Sequence, residues 1–572
     1  MRILLLVSTF NSLTQQVFCR LEDLGHEVSV EYARSPRLME EAVALWKPSL
    51  ILCPYLTQKV PETIWRNIPT LIVHPGPPGD RGPSSLDWAI LRKETEWGVT
   101  LLQAEEAMDA GPIWASKGFK MPSTSPKGRI YRSEVGLATL CLIEEILEKF
   151  ENPAFHPKPQ NPLKPMHAPV RQVDRAIDWS QDDTATIVRK INASDNHPGV
   201  KDSLLGLEVT LYGAHPERRL RGAPKEVLAK RNGAICLGTV DGAVWISHLK
   251  ESHRFKLPAT YVLKNRLKGI KEHRIPLYVD PHLETFKEIT FVQEGRIGYL
   301  GFDFYNGAMS AEQCIRLKYA IKTLRDEVDL LVLTGGPNFF SNGIHLTILE
   351  ESKKQGEDGW SNINAMNNLI ESILFSDDIL TVASFGANAG AGGVFLGLAC
   401  DFVVAREGVV LNPHYKTMGL SGSEYHTYTL PRRVGEAKAK EVTEACLPLS
   451  AKRAKRFGMV DAVFTAEAYE TSLKKWCREL LTDEERYYDL LDAKRDRLEA
   501  ERELIDACKE AELKRMYPEF WDPNSDFHRL RHDFVYKVCP SRAPTRIARH
   551  RVKVRVKRQG ERDDFVSNNQ EK

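Results

Sequence analysis

Apolar residues at the start of the chain fall in short runs separated by amphipathic stretches. Residues 2–9 (RILLLVST), 26–32, 50–54 and 69–74 read as buried strands, while 13–24, ending at Gly25, and 36–46 carry helical spacing. Alternation of this kind predicts a doubly wound parallel sheet with helices on both faces. Residues 152–170 (NPAFHPKPQNPLKPMHAPV) are rich in Pro and polar side chains and read as a connector. Residues 171–275 then alternate short β-type runs with turns, the pattern of a small OB-like β-barrel. From Phe286 a second α/β unit begins: two strand-like runs in ITFVQEGRIGYLGFDF, an amphipathic stretch to Leu324 and a buried strand over 328–333. Residues 466–516 are charged and helical. The predicted organisation is an α/β multidomain chain with domains at 1–165, 166–275 and 285–470, followed by a helical extension and basic tail over 471–572.

Composition narrows the class. The 572 residues are 42% hydrophobic and 27% charged, with net charge +2, so fibrous and disordered readings are excluded and no overall field favours nucleic acid. The ten cysteines, among them Cys19, Cys236 and Cys400, show no CxxC or metal-ligand spacing, which points to reduced thiols of a cytoplasmic protein. No run of about 18 apolar residues is present, so no membrane span is expected. The one strongly basic stretch is SRAPTRIARHRVKVRVKRQGERDD near the end.

The first constellation lies in LIVHPGPPGDRGPSSLDWAILRKETEWGVTLLQAEEAMDAGPIW. A strand ends at His74, a Pro/Gly loop follows, and Ser84 and Ser85 are placed to cap the next helix. Ligands bind at strand ends in doubly wound sheets. Asp109, in the turn Met-Asp-Ala-Gly, supplies a carboxylate that orients an imidazole for proton transfer. The spaced set of His74, the loop through Gly82, Gly98-Val99-Thr100 and Asp109-Ala110-Gly111 resembles the folate-dependent formyltransferases. The likeness continues through IDWS, KINASDNHPG and LEVTLYGA in the barrel domain. It implies N10-formyltetrahydrofolate as donor. The family's Asn, which polarises the formyl carbonyl, falls on Ile72; Gln15 and Ser12 are candidate replacements, and a thiol acceptor would also fit. Losing one such donor costs about 10²- to 10³-fold in rate.

The second constellation pairs LLVLTGGPNFFSNGIHLT with TVASFGANAGAGGVFLGLACDFVVA, two strands each running into a Gly-rich turn. Such turns can each aim a backbone N–H at one oxygen, one of them at a helix start around Gly392-Gly393, which makes an oxyanion hole. The set resembles the crotonase (enoyl-CoA hydratase/isomerase) superfamily, whose α/β spiral binds acyl-CoA thioesters. The likeness carries the two donors onto the N–H groups of Ile344 and Gly392. The hydratase carboxylates fall on Phe395 and Tyr415, so water addition is disfavoured. Of His414, Tyr415, Ser423, Glu424 and His426, we expect Tyr415 and Glu424 to face the thioester carbon.

Together the halves imply formyl-CoA as a shared intermediate, made by formyl transfer to the thiol of coenzyme A. Formyl-CoA has no α-carbon, which leaves hydrolysis, onward transfer or decarbonylation to carbon monoxide. Domain order and both departures resemble the HypX (HoxX) family of hydrogenase-maturation proteins, which implies the decarbonylation reading, small-molecule substrates and maturation partners carrying the iron centre; charge, apolar runs and Cys/His spacing add the expectation of no nucleic acid, membrane or metal site. Phosphates of coenzyme A need cations; Arg129, Arg132, Arg189, Arg542 and Arg546 are candidates, with Ser194 as a further ligand contact. The alternatives are a formyltransferase with an independent acyl-CoA or formyl-CoA hydrolase, and a non-catalytic chaperone that binds coenzyme A or folate.

Overall fold

The computed structural model describes residues 1–280 and 282–552. The basic tail beyond 552 lies outside the described residues. The chain divides into two compact units: Met1–Ser123, Ile130–Val170 and the described residues from Cys539, and a second of Thr124–Arg129 with Arg171–Val538.

In the first unit, β1 (Arg2–Val7), β2 (Glu27–Tyr32), β3 (Leu50–Cys53), β4 (Thr70–His74), β5 (Glu96–Gln103) and β6 (Ile113–Lys120) form one sheet in the order β2-β1-β3-β4-β5-β6. The first four strands are parallel; β5 and β6 are antiparallel additions, with Thr100 opposite His74. The sheet is thus mixed at one edge, where the hydrophobic pattern alone predicts parallel strands throughout. β1 and β3 are almost wholly buried because the sheet is covered on both faces, which is why they read as unbroken apolar runs. Local chemistry sets the helix starts. Asn11 accepts from Thr14 N at 3.0 Å ahead of the helix Ser12–Asp23. Ser35 accepts from Leu38 N at 3.3 Å, with Pro36 at the first helical position of Pro36–Trp46.

In the second unit, β7 (Val200–Leu204), β8 (Leu207–Glu217), β9 (Val227–Arg231), β10 (Ala234–Gly238), β11 (Ala243–Glu251) and β12 (Leu257–Pro258) are antiparallel in the order β7-β8-β11-β10-β9, with β12 on β11. The edge strands β7 and β9 do not pair with each other, so the expected barrel is an open, OB-like sheet around a core that includes Ile187 and Ile191 of the helix Thr184–Ala193.

The remaining strands are β13 (Ile289–Glu294), β14 (Ile297–Phe302), β15 (Leu330–Gly335), β16 (Leu380–Phe385), β17 (Ala389–Gly390), β18 (Phe402–Arg406), β19 (Val410–Asn412), β20 (Leu449–Ser450) and β21 (Ala462–Phe464). A six-stranded sheet runs β13-β14-β15-β16-β18-β21, and β17-β19-β20 form a smaller one. The C-terminal helices belong to the same core: Leu498, Ile505, Met516, Phe520 and Phe527 pack in one cluster with Leu333, Phe385 and Phe395. Among the described residues no helix is long and apolar enough to cross a membrane, and no group of His, Cys, Asp and Glu is placed to hold a metal ion.

Two candidate active sites

His74 ends β4, and its imidazole is 5% exposed. Two carboxylates face its two nitrogens: Asp80 Oδ2 lies 2.8 Å from Nε2, and Asp109 Oδ1 lies 3.6 Å from Nδ1. The sequence pairs His74 with Asp109; the closer partner, Asp80, sits unmarked inside the Pro/Gly loop. Burial works against the Asp80 carboxylate, but the hydrogen bond from His74 and the nearby His74 and His167 rings outweigh it and hold its pKa below the ordinary value. His167 Nε2 is 3.1 Å from Asp80 Oδ1. It comes from the stretch that reads as a connector, and that stretch wraps the site. His167 N donates to Arg81 O at 2.8 Å, Arg81 Nη1 donates to Lys164 O at 2.9 Å, and Gln160 Nε2 donates to Gly111 O at 2.8 Å.

Asp109 adopts a positive φ of 52° and accepts from Gly82 N at 3.0 Å, so a strained turn is held by the loop it faces. Glycine is required at Gly76, where a Cβ would run into the Asp80 carboxylate and His74 Nε2. The expected serine caps are absent: Ser84 has φ 62° and makes no cap hydrogen bond to the helix Ser85–Leu91, instead accepting from Val170 N at 3.2 Å, while Ser85 Oγ donates to Pro75 O at 2.9 Å. Ile72 stands two residues before His74 on the same face of β4 and packs against the cluster around Met39 and Trp46. Of the two candidate replacements for the missing amide, Gln15 Nε2 donates to Phe10 O at 3.1 Å and Ser12 opens the helix Ser12–Asp23.

In the second unit the two Gly-rich turns meet. Around Ile344 the neighbouring amides are all engaged. Asn342 N donates to Gly307 O at 2.7 Å, Gly343 N to Ser341 Oγ at 3.1 Å, and His345 N to Asn362 Oδ1 at 3.3 Å. Ile344 N–H has no acceptor among the described residues, nor has Gly392 N–H at the first position of the helix Gly392–Leu398. Gly343 has φ 77°, and a Cβ there would sit 3.2 Å from Gly392 N, which places the two donor loops side by side. A Cβ on Gly392 would meet Glu424 Oε1 at 2.6 Å, so the carboxyl group stands directly beside this donor.

Tyr415 Oη donates to Glu424 Oε2 at 2.6 Å. The Tyr415 ring stacks on Phe395, with ring centroids 5.4 Å apart. Glu424 is 1% exposed; burial, reinforced by the Glu512 charge, keeps its pKa above the ordinary value despite the Tyr415 hydrogen bond. Burial and the Glu424 charge push the Tyr415 phenol up as well. Glu424 and Tyr425 have φ of 64° and 54°. That strain is held by two groups the sequence did not mark: Asn367 Oδ1 accepts from Glu424 N at 2.9 Å, and Glu512 accepts from Tyr425 N at 2.9 Å and Thr427 N at 2.7 Å. His426 turns its Nδ1 to Glu512, 3.1 Å away, while His414 bonds weakly with Thr417 at 3.4 Å.

Arg129 contacts Ser125, Arg189 donates to Thr186 Oγ1 at 2.9 Å, and Arg132 offers its carbonyl to Gln16 Nε2 at 3.2 Å. Arg542 forms a two-point ion pair with Glu41 at 2.9 and 3.0 Å. Burial pushes the Tyr32 phenol up against the opposing charge of Arg546. Ser194 is buried, with Oγ donating to Lys190 O at 2.8 Å.

Residues 169–266 match the formyl transferase C-terminal domain, and residues 304–518 match enoyl-CoA hydratase/isomerase. Methionyl-tRNA formyltransferase of Fervidobacterium nodosum is 29% identical over 180 residues, which cover 30% of this chain and 56% of that protein. Hydrogenase maturation factor HoxX of Bradyrhizobium diazoefficiens is 41% identical over 565 residues, covering 97% of this chain and 98% of the relative. The crystal structure of HypX from Aquifex aeolicus in complex with tetrahydrofolic acid superposes with a TM-score of 0.94 at 45% identity, covering 96% of this chain and 99% of that one. Identity of 41–45% over nearly the whole length of this chain and of both relatives shows that the chain, with its formyltransferase and crotonase parts, belongs to the HypX/HoxX family of hydrogenase maturation factors.

Proposed function

We propose that the protein is a cytoplasmic enzyme that transfers formyl from N10-formyltetrahydrofolate to the thiol of coenzyme A and then decarbonylates formyl-CoA, supplying the carbon monoxide ligand of nickel–iron hydrogenase to maturation partners that carry the iron. The observation that carries the reading is the Tyr415–Glu424 pair, at 2.6 Å, beside two N–H groups without acceptors among the described residues.

In the first step His74 takes the thiol proton as the C–S bond forms and gives it to N10 of the folate as the C–N bond breaks; Asp109 stabilises the charged ring in between. In the second, Ile344 N–H and Gly392 N–H hold the thioester oxygen. Glu424 takes the formyl proton, and the C–S bond electrons leave with sulfur. Tyr415 protonates that sulfur and is reprotonated by Glu424 across their hydrogen bond. Atoms balance: one formyl thioester gives one carbon monoxide and one thiol. A carboxyl whose pKa is raised by burial is a strong enough base for this only once ionised, so carbon monoxide release should rise with pH through the elevated Glu424 pKa.

Among the candidate cations for the coenzyme A phosphates, Arg129 follows Gly128, where a Cβ would run into the Asn196 side chain, and Asn192 Nδ2 donates to Thr124 O at 2.8 Å. Arg129 and Ser194 are therefore the pair to test together. The deciding experiment supplies carbon-13 formyltetrahydrofolate and coenzyme A and traps gas with a haem protein. Label in the trapped gas, lost in Tyr415→Phe, is expected; label in formate alone would favour the hydrolase alternative and end this reading.

A further inference from the structure

His74 sits between two carboxylates, and only one of them bonds it closely. Asp80 faces two imidazoles, with His74 Nε2 hydrogen-bonded at 2.8 Å to one oxygen and His167 Nε2 3.1 Å from the other. An ionised carboxylate only accepts, so the His74 nitrogen bonded to it must carry a proton. Asp80 is 9% exposed, and its pKa is held below the ordinary value, which keeps it in that acceptor form.

We infer that Asp80 is a positioning residue that fixes His74 in the tautomer protonated on Nε2, making Nδ1, on the Asp109 side, the nitrogen that works, and that His167 locks Asp80 in place. The inference deepens the formyl-transfer reading and rests on it for its kinetic part. Proton traffic then runs through a single atom. Nδ1 accepts the thiol proton as the C–S bond forms, Asp109 Oδ1 at 3.6 Å stabilises the resulting cation, and Nδ1 returns the proton to N10 as the C–N bond breaks. Asp80 stays ionised throughout and touches no substrate. A base oriented by a carboxylate on its far nitrogen works only while that nitrogen is kept protonated. The connector is essential to this arrangement because it delivers His167, and Arg81 ties it down by donating to Lys164 O at 2.9 Å and Met108 O at 2.9 Å.

The test is histidine-selective nitrogen-15 NMR on the full-length protein, without folate or thiol, with the His74 signals assigned by their loss in His74→Gln. The wild-type ring should be protonated on Nε2, and Asp80→Asn should populate both tautomers. A wild-type ring protonated on Nδ1, or an Asp80→Asn protein that keeps the Nε2 tautomer alone, overturns the inference. In kinetics, Asp80→Asn should lower kcat for formyl transfer by about 10²- to 10⁴-fold with the KM for the formyl donor unchanged, and Asp80→Glu should restore part of it. Full kcat in Asp80→Asn also overturns the inference. Should the wild-type protein transfer no formyl to any thiol, the parent reading fails on its own, and the NMR result still decides the tautomer.

Discussion

At the scale of single residues, the second site is built by close approach. Glu424 can stand beside the Gly392 N–H only because Gly392 has no Cβ. Gly392→Ala should therefore displace the carboxyl and lower carbon monoxide output by about 100-fold, a loss comparable to removing one oxyanion donor, while the circular dichroism spectrum stays native. Glu424 also leaves a signature in stability. Its folded-state pKa is raised, so between the ordinary carboxylate value and that raised value the folded protein binds more protons than the unfolded chain. Stability then falls as pH rises across that window. Urea unfolding at a series of pH values should show Glu424→Gln gaining on the wild type as pH rises, with the gain levelling off above the folded-state pKa. A difference that does not change with pH would mean that the carboxyl is already ionised throughout.

At the scale of elements, each site is a strand end or a tight turn held by something distant. Glu512, on the helix Arg502–Trp521, accepts from Tyr425 N, Thr427 N and Thr427 Oγ1, the last at 2.6 Å. Glu512→Ala leaves these buried donors without partners and should cost about 3 kcal/mol in urea unfolding, with Tyr415 and Glu424 losing their register. This division also explains what the sequence disclosed. His74, Asp109, Ile344 and Gly392 lie where an apolar run breaks into a Gly-rich turn, a local pattern that composition displays. Tyr415 comes from the crotonase resemblance, and Glu424 from a choice among the polar residues near it. Glu512 and His167 have no local mark, because a charged residue in a charged helix and a histidine in a Pro-rich stretch look like solvated chain. Asp80 is a different case: it lies six residues from His74, yet the surrounding Pro and Gly suggest a turn and nothing more. The antiparallel β5 and β6 were hidden for a related reason, since strand direction depends on connections and apolar content carries no sign of it.

At the scale of the whole molecule, the C-terminal helices are structural members of the crotonase part. Lys494 is almost fully buried and donates to Asp401 Oδ2 at 2.7 Å and Ile379 O at 2.8 Å, and Asp401 also accepts from Thr381 Oγ1 at 2.8 Å. Lys494→Met removes this ion pair, leaving the half-buried Asp401 with Arg497 Nη2 at 3.6 Å, and should cost about 2–3 kcal/mol, read from the urea midpoint. A chain ended at residue 470 removes Leu498, Ile505, Met516 and Phe520 from the common core and should lack a near-ultraviolet dichroism signal.

The wrapped connector has a practical consequence for dissecting the protein. Stopping the chain at residue 165, the border its composition suggests, would yield a fragment with every strand of the first sheet but without the segment from Cys539, in which Ile547 O accepts from Val30 N at 2.9 Å. It would also be missing His167, and Asp80 would be left facing a single ring. Inactivity of such a fragment would say nothing about whether the two halves need each other, because the cut itself removes a ring placed against the first site.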